Sequence, residues 1–190
     1  FKQKTAYEML RSLVGSEMCI RDRIIMNKYS FLLFFILTIL SSCSTEETTV
    51  YYLIRHAEKD RTDNTNINPN LNKIGQDRAI KWASYFKNVH LDAIYSTTYN
   101  RTLQTAAPTA RVKKLQILNY NPTNMFNKDF KEKTKGKVTL IVGHSNTTPV
   151  FVNKILGDEK YQNMDDNDNS SLYVVKINKH EKNSLIKKIN

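Results

Sequence analysis

Short apolar runs, rich in β-branched and aromatic residues, alternate along the chain with longer stretches whose apolar positions recur at helical spacing. The short runs predict strands over 50–55, 91–96, 116–118 and 137–142. The longer stretches predict helices over 72–86, 99–111, 125–133 and 146–156. Two further runs, 172–177 and 185–188, predict a terminal hairpin. This alternation predicts an α/β fold with three layers, α/β/α, in which helices cover both faces of a mainly parallel central sheet.

Residues with special backbone preferences mark the predicted helix ends. Asn72 is placed to cap the first helix, because its side-chain oxygen can accept a hydrogen bond from a free backbone N–H. Pro149 falls in the first turn of the last helix and Gly157 follows its end, which are the positions these residues favour. Pro108 falls inside the second helix, where its missing N–H predicts a kink or an end.

The order of polar and apolar residues before residue 50 predicts export. Met26 opens a short positive region, and an apolar stretch of ten residues follows over 31–40. Because a membrane-spanning helix needs roughly 20 residues, 26–42 is interpreted as a signal peptide. The ending Leu40-Ser41-Ser42-Cys43 resembles a bacterial lipoprotein lipobox, which implies cleavage before Cys43 and a lipid on that cysteine. An uncleaved anchor and a signal with an incidental cysteine are the alternatives.

These segments divide the chain into four parts. Residues 1–25 are interpreted as a sequencing or assembly artefact, because 18–23 (MCIRDR) resembles a transposase adapter read in frame. Residues 43–49 are expected to form a lipidated tether, in which the six residues after Cys43 reach about 20 Å. Residues 50–190 are long enough for one folded domain with its own core. The expected location is the cell envelope, with the lipid anchor facing the periplasm or in the outer membrane.

Composition narrows the partners of this domain. The sequence has a formal net charge of +11, which favours anionic lipid or phosphorylated substrates. Its lysines are scattered, however, as on an ordinary solvated surface. No recognised nucleic-acid-binding motif is present, so no nucleic-acid partner is expected. Both cysteines, Cys19 and Cys43, precede residue 50, so the domain is expected to lack a disulfide, a thiol nucleophile and a cysteine-based zinc site.

Two histidines follow two of the predicted parallel strands. His56 comes directly after the first strand, and His144 comes after the strand at 137–142. Ligands of open α/β sheets bind in the crevice at the carboxyl ends of the strands, so the two imidazoles are expected to meet there. Arg55 precedes His56 and adds a positive charge. The pattern predicts a candidate phosphate site.

Several motifs in order extend this pattern. Segments 55–58 (RHAE), 94–106 (IYSTTYNRTLQTA) and 142–145 (VGHS) together resemble the histidine phosphatase superfamily, also called phosphoglycerate-mutase-like. Segment 71–79 (LNKIGQDRA) is similar to the first-helix signature of that family. The resemblance implies the phosphoglycerate-mutase-like fold and a phosphoric monoester hydrolase of the histidine acid phosphatase type. It also implies a phosphohistidine intermediate, a small phosphorylated substrate or a phosphoprotein, and no cofactor or metal.

The resemblance assigns roles to individual residues. His56 is the expected nucleophile, since an imidazole is largely unprotonated near neutral pH. Arg55, Arg101 and His144 are expected to bind the phosphoryl oxygens, a task for which the arginine fork is well suited. Glu58 is the expected general acid, because it lies nearest to the nucleophile in sequence. The other candidate acids are Asp60, Asp63, Asp165, Asp166 and Asp168.

Other functions fit parts of the same pattern. A non-catalytic phosphate-binding module would keep the arginines and lose turnover. A metal hydrolase would use His56 and His144 as ligands, but the adjacent arginines disfavour a cation. A phosphoglycerate mutase is disfavoured by the expected export and by Ala57, which stands where the mutase branch has glycine. The short span between Arg101 and His144 also leaves little room for a substrate lid.

Overall fold

A computed structural model describes residues 47–189. The predictions for 1–25, for the signal peptide over 26–42 and for lipid on Cys43 lie outside these residues. Within residues 47–189, no helix is long and apolar enough to cross a membrane.

Six strands and four helices alternate along most of this domain, as the sequence pattern predicts. The strands are β1 Thr49–Arg55, β2 Ala93–Ser96, β3 Ile117–Asn119, β4 Val138–Gly143, β5 Ser171–Ile177 and β6 Lys182–Lys188. The helices are α1 Lys73–Phe86, α2 Asn100–Lys113, α3 Lys128–Thr134 and α4 Thr147–Leu156.

All six strands form one sheet in the order β3-β2-β4-β1-β5-β6. Strands β3, β2, β4 and β1 run parallel to one another, whereas β5 pairs antiparallel with β1 and forms an antiparallel hairpin with β6. The predicted mainly parallel sheet and terminal hairpin are therefore confirmed. Because β1 pairs directly with β4, the two strands that precede the histidines end side by side.

The core has two parts, one on each face of the sheet, because successive strand side chains point to opposite faces. One part packs helices α3 and α4 against the sheet through side chains that include Tyr51, Leu53, Ile141, Phe130 and Phe151. The other packs α1 and α2 through side chains that include Ile54, Leu140, Trp82, Phe86 and Ala106. The sheet is thus covered on both faces, as the three-layer prediction requires.

The helix ends mostly follow the predicted chemistry. The Asn72 side chain accepts a hydrogen bond from the backbone N–H of Gly75 at 2.8 Å, which caps α1. Gly157 ends α4 with a left-handed φ of 79°. Pro108 does not end α2, which continues to Lys113. A proline removes one backbone hydrogen-bond donor, and the helical hydrogen bonds before and after it remain. Helix α3 starts later than predicted, because Asn127 caps it.

Candidate active site

His56, His144 and Arg101 come together at the carboxyl end of the sheet. His56 follows β1 and His144 follows β4, and the two ring centroids are 5.5 Å apart. Arg101 reaches the same place from the first turn of α2, and its Nη2 lies 3.5 Å from His144 Nδ1. Arg55, the last residue of β1, completes the cluster. The structure therefore brings together four of the predicted site residues.

The His56 imidazole has one ring nitrogen occupied and one available. Its Nδ1 lies 2.7 Å from the carbonyl oxygen of Ala57. A carbonyl only accepts, so Nδ1 carries the proton and Nε2 keeps a lone pair. Burial lowers the pKa of His56 from 6.5 to about 3, against the opposing effect of the Ala57 hydrogen bond, and Arg55, His144 and Arg101 lower it further. The ring is therefore neutral near pH 7, and its Nε2 atom carries the lone pair.

The backbone around His56 is fixed from three directions. The N–H of His56 donates to the carbonyl of Gly143, and its own carbonyl accepts from the Asn169 side chain at 2.8 Å. The N–H of Ala57 donates to Thr105 Oγ1 at 2.9 Å. With the side chain only 4% exposed, the ring is held in one orientation.

A chain of hydroxyl groups sets the tautomer of His144. Thr102 donates its hydroxyl proton to the carbonyl of Tyr99, so Thr97 donates to Thr102 Oγ1 and must accept from His144 Nε2 at 3.0 Å. Nδ1 of His144 then faces Arg101 as an acceptor. Burial, followed by the charges of nearby cations, lowers the pKa of His144 to about 4.

Both arginines have buried N–H groups without a hydrogen-bond partner among the described residues. Tyr99 stacks under Arg101, with Cζ 4.4 Å from the ring centroid, and orients its guanidinium. Within residues 47–189, the buried guanidinium nitrogens without a hydrogen-bond partner are Nε of Arg55 and Nε and Nη1 of Arg101. Unpaired buried donors are costly, so their clustering beside two neutral histidines fits a site for an oxyanion.

Two adjoining clefts open at this cluster. The first, of about 330 Å³, is lined by both histidines and both arginines and is called the phosphoryl cleft here. The second, of about 510 Å³, extends from Arg55 and His56 past Glu58 and Arg61 and is called the outer cleft. No group of three or more histidine, cysteine or carboxylate side chains is arranged for a metal ion among residues 47–189.

Glu58 lies in the outer cleft and is bound by an arginine. Nε of Arg78 donates to both carboxylate oxygens, at 2.7 and 2.9 Å, and both side chains are largely shielded from solvent. The backbone of Glu58 packs against α1 so closely that a Cβ on Gly75 would lie 2.1 Å from the Glu58 carbonyl oxygen. This contact explains the glycine in the first-helix motif. Glu58 therefore lies beside the site, and its negative charge is paired with Arg78.

The other candidate acids occupy different positions. Asp60 and Asp63 each accept hydrogen bonds from a threonine two residues later, on the exposed loop after β1, and those bonds lower the pKa of both carboxyl groups. Asp168 accepts from Ser171 and from a lysine of β6. Asp165 and Asp166 bind Arg55, the former through its carbonyl oxygen and the latter through its carboxylate.

Sequence reasoning missed several residues of this site. Thr97 follows β2 directly, so the rule that selected the histidines also points to it. Thr105 lies one turn after Arg101 on α2, and helical spacing places the two on one face. Asn169 and Arg61 come from loops, and no periodic signal marks them.

Part of the chain is similar to a known protein family. Residues 51–121 match the family model of the histidine phosphatase superfamily (branch 1). That range holds His56 and Arg101, whereas His144 lies beyond it. A comparison with curated protein sequences finds no match.

Solved structures share the fold at low identity. SixA from Agrobacterium tumefaciens, described as a candidate phosphohistidine phosphatase, is 20% identical with a TM-score of 0.52, covering 75% of this chain and 96% of its own. YhfR from Bacillus stearothermophilus is 14% identical with a TM-score of 0.58, covering 73% and 96%. A phosphoserine phosphatase mutant from Entamoeba histolytica, in complex with phosphoserine, is 16% identical with a TM-score of 0.55, covering 75% and 96%. The family model matches residues 51–121, and these solved structures confirm the predicted phosphoglycerate-mutase-like fold.

The low pKa of His56 predicts that acid destabilises the fold. Between its unfolded pKa near 6.5 and its folded pKa of about 3, only the unfolded state binds the proton, so stability falls as the pH falls. From pH 7 to 5 this histidine should cost about 2 kcal/mol, at about 1.4 kcal/mol per pKa unit. Urea unfolding of wild type and His56→Asn at both pH values measures the difference. Equal pH dependence in the two proteins would contradict a buried neutral His56.

Proposed function

We propose that this protein is a phosphomonoester hydrolase that works through a phosphohistidine at His56. The observation that carries the proposal is the fixed tautomer of His56. Its Nδ1–H is committed to the Ala57 carbonyl, which leaves the Nε2 lone pair at the edge of the phosphoryl cleft. A neutral, oriented imidazole in a cluster of guanidinium donors is suited to attack phosphorus.

The surrounding charges suit the transition state. Phosphoryl transfer spreads negative charge over the equatorial oxygens, and catalysis then depends on positioning and electrostatic stabilisation. Arg55 and Arg101 offer the unpartnered donors for those oxygens. His144 lies against Arg101, so a bound phosphoryl dianion would raise the pKa of His144 and favour its protonated, donating form. The substrate class is a phosphomonoester, either a small molecule or a phosphoprotein.

Hydrolysis of an aryl phosphate tests the activity. The purified protein is expected to release phosphate from p-nitrophenyl phosphate, and excess chelator should leave the rate unchanged because no step of the proposed reaction uses a metal ion. Acid-quenched reactions should contain phosphate covalently bound to protein. Saturable phosphate binding without any product release would instead support the phosphate-binding module.

We also propose that Cys43 carries lipid and tethers the domain to the cell envelope. The support is the lipobox-like ending before Cys43 and the position of Thr49, where β1 begins. The chain enters β1 at the end of the strand opposite His56, about 23 Å away for seven strand residues. The tether would therefore join the domain at the end of the sheet opposite the active site.

Replacement of Cys43 tests the tether. In the native host, wild-type protein is expected in the membrane fraction, and Cys43→Ala is expected to lose that association because no lipid can be attached. The mass of the mature wild-type protein should exceed that of residues 43–190 by the attached lipid. A wild-type protein that fractionates as soluble, or an unmodified mass, would exclude the anchor.

A further inference from the structure

One carboxylate lies at the boundary between the two clefts. Asp166, in the loop after α4, lines both of them, as does His56. Its Oδ1 accepts a hydrogen bond from Nη2 of Arg55 at 2.6 Å, and its Oδ2 accepts one from Nη2 of Arg61 at 2.8 Å. Arg55 is 2% exposed and Asp166 is 64% exposed, so a buried guanidinium holds a solvent-accessible carboxylate beside the phosphoryl cleft.

Arg55 can hold Asp166 and a phosphoryl group at the same time. A guanidinium has five N–H donors, and the loop uses two of them, through Asp165 and Asp166. The buried Nε is among the donors that remain. One rigid, planar group therefore connects the phosphoryl position with the Asp166 carboxylate, so a carboxyl group lies next to the place where the ester would bind.

No other carboxylate of the clefts shares this position. Glu58 and Asp60 line the outer cleft alone. Both oxygens of Glu58 face Nε of Arg78, and Asp60 is held in its own turn by Thr62. Of the carboxylates lining either cleft, Asp166 alone lines both.

We propose that Asp166 is the general acid of the reaction, an inference that rests on the proposed phosphatase activity. Nε2 of His56 forms a bond to phosphorus while the bond from phosphorus to the ester oxygen breaks. The ester oxygen takes the bond electrons and the proton of Asp166, and leaves as an alcohol. In the second step the Asp166 carboxylate takes a proton from water, whose oxygen bonds to phosphorus as the bond to Nε2 breaks. Phosphate leaves, and both residues return to their starting forms.

The substrate itself favours the protonated form of Asp166. In the free protein the Arg61 hydrogen bond, together with the charge of Arg55, keeps the pKa of Asp166 low, and Lys59 is a further cation close to it. A bound phosphoryl dianion adds a like charge next to the carboxylate, which raises its pKa. Protonation of Asp166 is thereby coupled to binding, and activity on poor leaving groups should be highest at acid pH.

Leaving-group dependence tests this assignment. An alkyl oxygen needs a proton as it leaves, whereas p-nitrophenolate leaves without one. Asp166→Asn should therefore lower kcat/KM for glycerol 2-phosphate by about 10² to 10³-fold, and that for p-nitrophenyl phosphate by less than about tenfold. The ratio kcat/KM covers the steps up to alcohol release, so loss of the base in the second step does not affect it. An asparagine oxygen can still accept from Arg55, which preserves the loop.

Matched variants make the outcome decisive. Asp158→Asn, in the same loop but outside both clefts, should leave both ratios unchanged. Arg61→Gln should raise the pKa of Asp166 and move the alkaline limb of the alkyl kcat/KM profile to higher pH. Equal losses for both esters in Asp166→Asn, or the alkyl-specific loss in Glu58→Gln instead, would overturn the assignment. If wild type does not turn over an aryl phosphate, the proposed function itself is wrong. That result is obtained without any variant, so it is distinct from a failure of the Asp166 assignment.

Discussion

Replacing His56 by asparagine is expected to lower kcat/KM for p-nitrophenyl phosphate by about 10⁴-fold or more, because removal of a nucleophile removes the covalent pathway altogether. The Nε2 atom is the only nucleophilic position on this ring, since Nδ1–H is bound to the Ala57 carbonyl. Asparagine retains a donor for that carbonyl and has no lone pair that attacks phosphorus at a useful rate. Steady-state assays of purified wild type and variant measure the loss.

The proposed covalent intermediate provides the second measurement for His56. Wild type quenched during turnover should carry phosphate in a bond that is stable in base and labile in acid, as expected for a phosphorus–nitrogen bond, and His56→Asn should carry none. His90→Asn is the matched control, because His90 is exposed and pairs with Asp92 at the end of β2 that lies away from the site. Substantial turnover by His56→Asn, with wild-type-like folding in both variants, would show that another group attacks the phosphorus.

The positions of the two histidines could be predicted because they depend on a general property of parallel sheets. Each follows a strand of recognisable composition, and strands of this kind present their carboxyl ends along one edge. The helix ends at Asn72 and Gly157 are likewise predictable, since capping is a local interaction between residues near in sequence.

The rest of the site depends on contacts between residues far apart in sequence. Arg55 and Asp166 are separated by 111 positions, and their ion pair exists because the loop after α4 returns over the carboxyl end of β1. The tautomer of His144 depends on Thr97, 47 positions away, and on the order in which the hydroxyl protons are shared. The spacing of apolar and polar residues does not indicate these long-range contacts. The sequence alone therefore left six carboxylates as candidate acids.

The continuation of α2 beyond Pro108 also depends on tertiary contacts. A proline in an isolated helix is unfavourable by about 3 kcal/mol. Here Ala106 and Ala110, on either side of it, are buried in the core between α2 and the sheet, and their packing outweighs the lost hydrogen bond. Tertiary contacts therefore decide the length of this helix, and local propensity does not.

Replacement of Arg101 by lysine is expected to lower kcat/KM by about 10² to 10³-fold, although the charge is retained. The arginine presents a planar fork whose Nε and Nη1 are unpartnered and whose position is set by the Tyr99 ring. An ammonium group is a single point charge and cannot bind two phosphoryl oxygens side by side. Arg111→Lys, on the exposed last turn of the same helix, should leave the rate unchanged and serves as the control.

The thermal stability of an Arg101 variant distinguishes a catalytic role of this residue from a structural one. Its buried, unpartnered nitrogens cost free energy in the folded protein, about 1 to 3 kcal/mol for each such group. Arg101→Met fills similar space without those donors, so it should abolish most activity while leaving the thermal midpoint equal to or above that of wild type. A residue whose function is to hold the fold together would behave in the opposite way. If Arg101→Met instead lowers the midpoint by several degrees, the guanidinium stabilises the domain and the lost activity follows from altered packing.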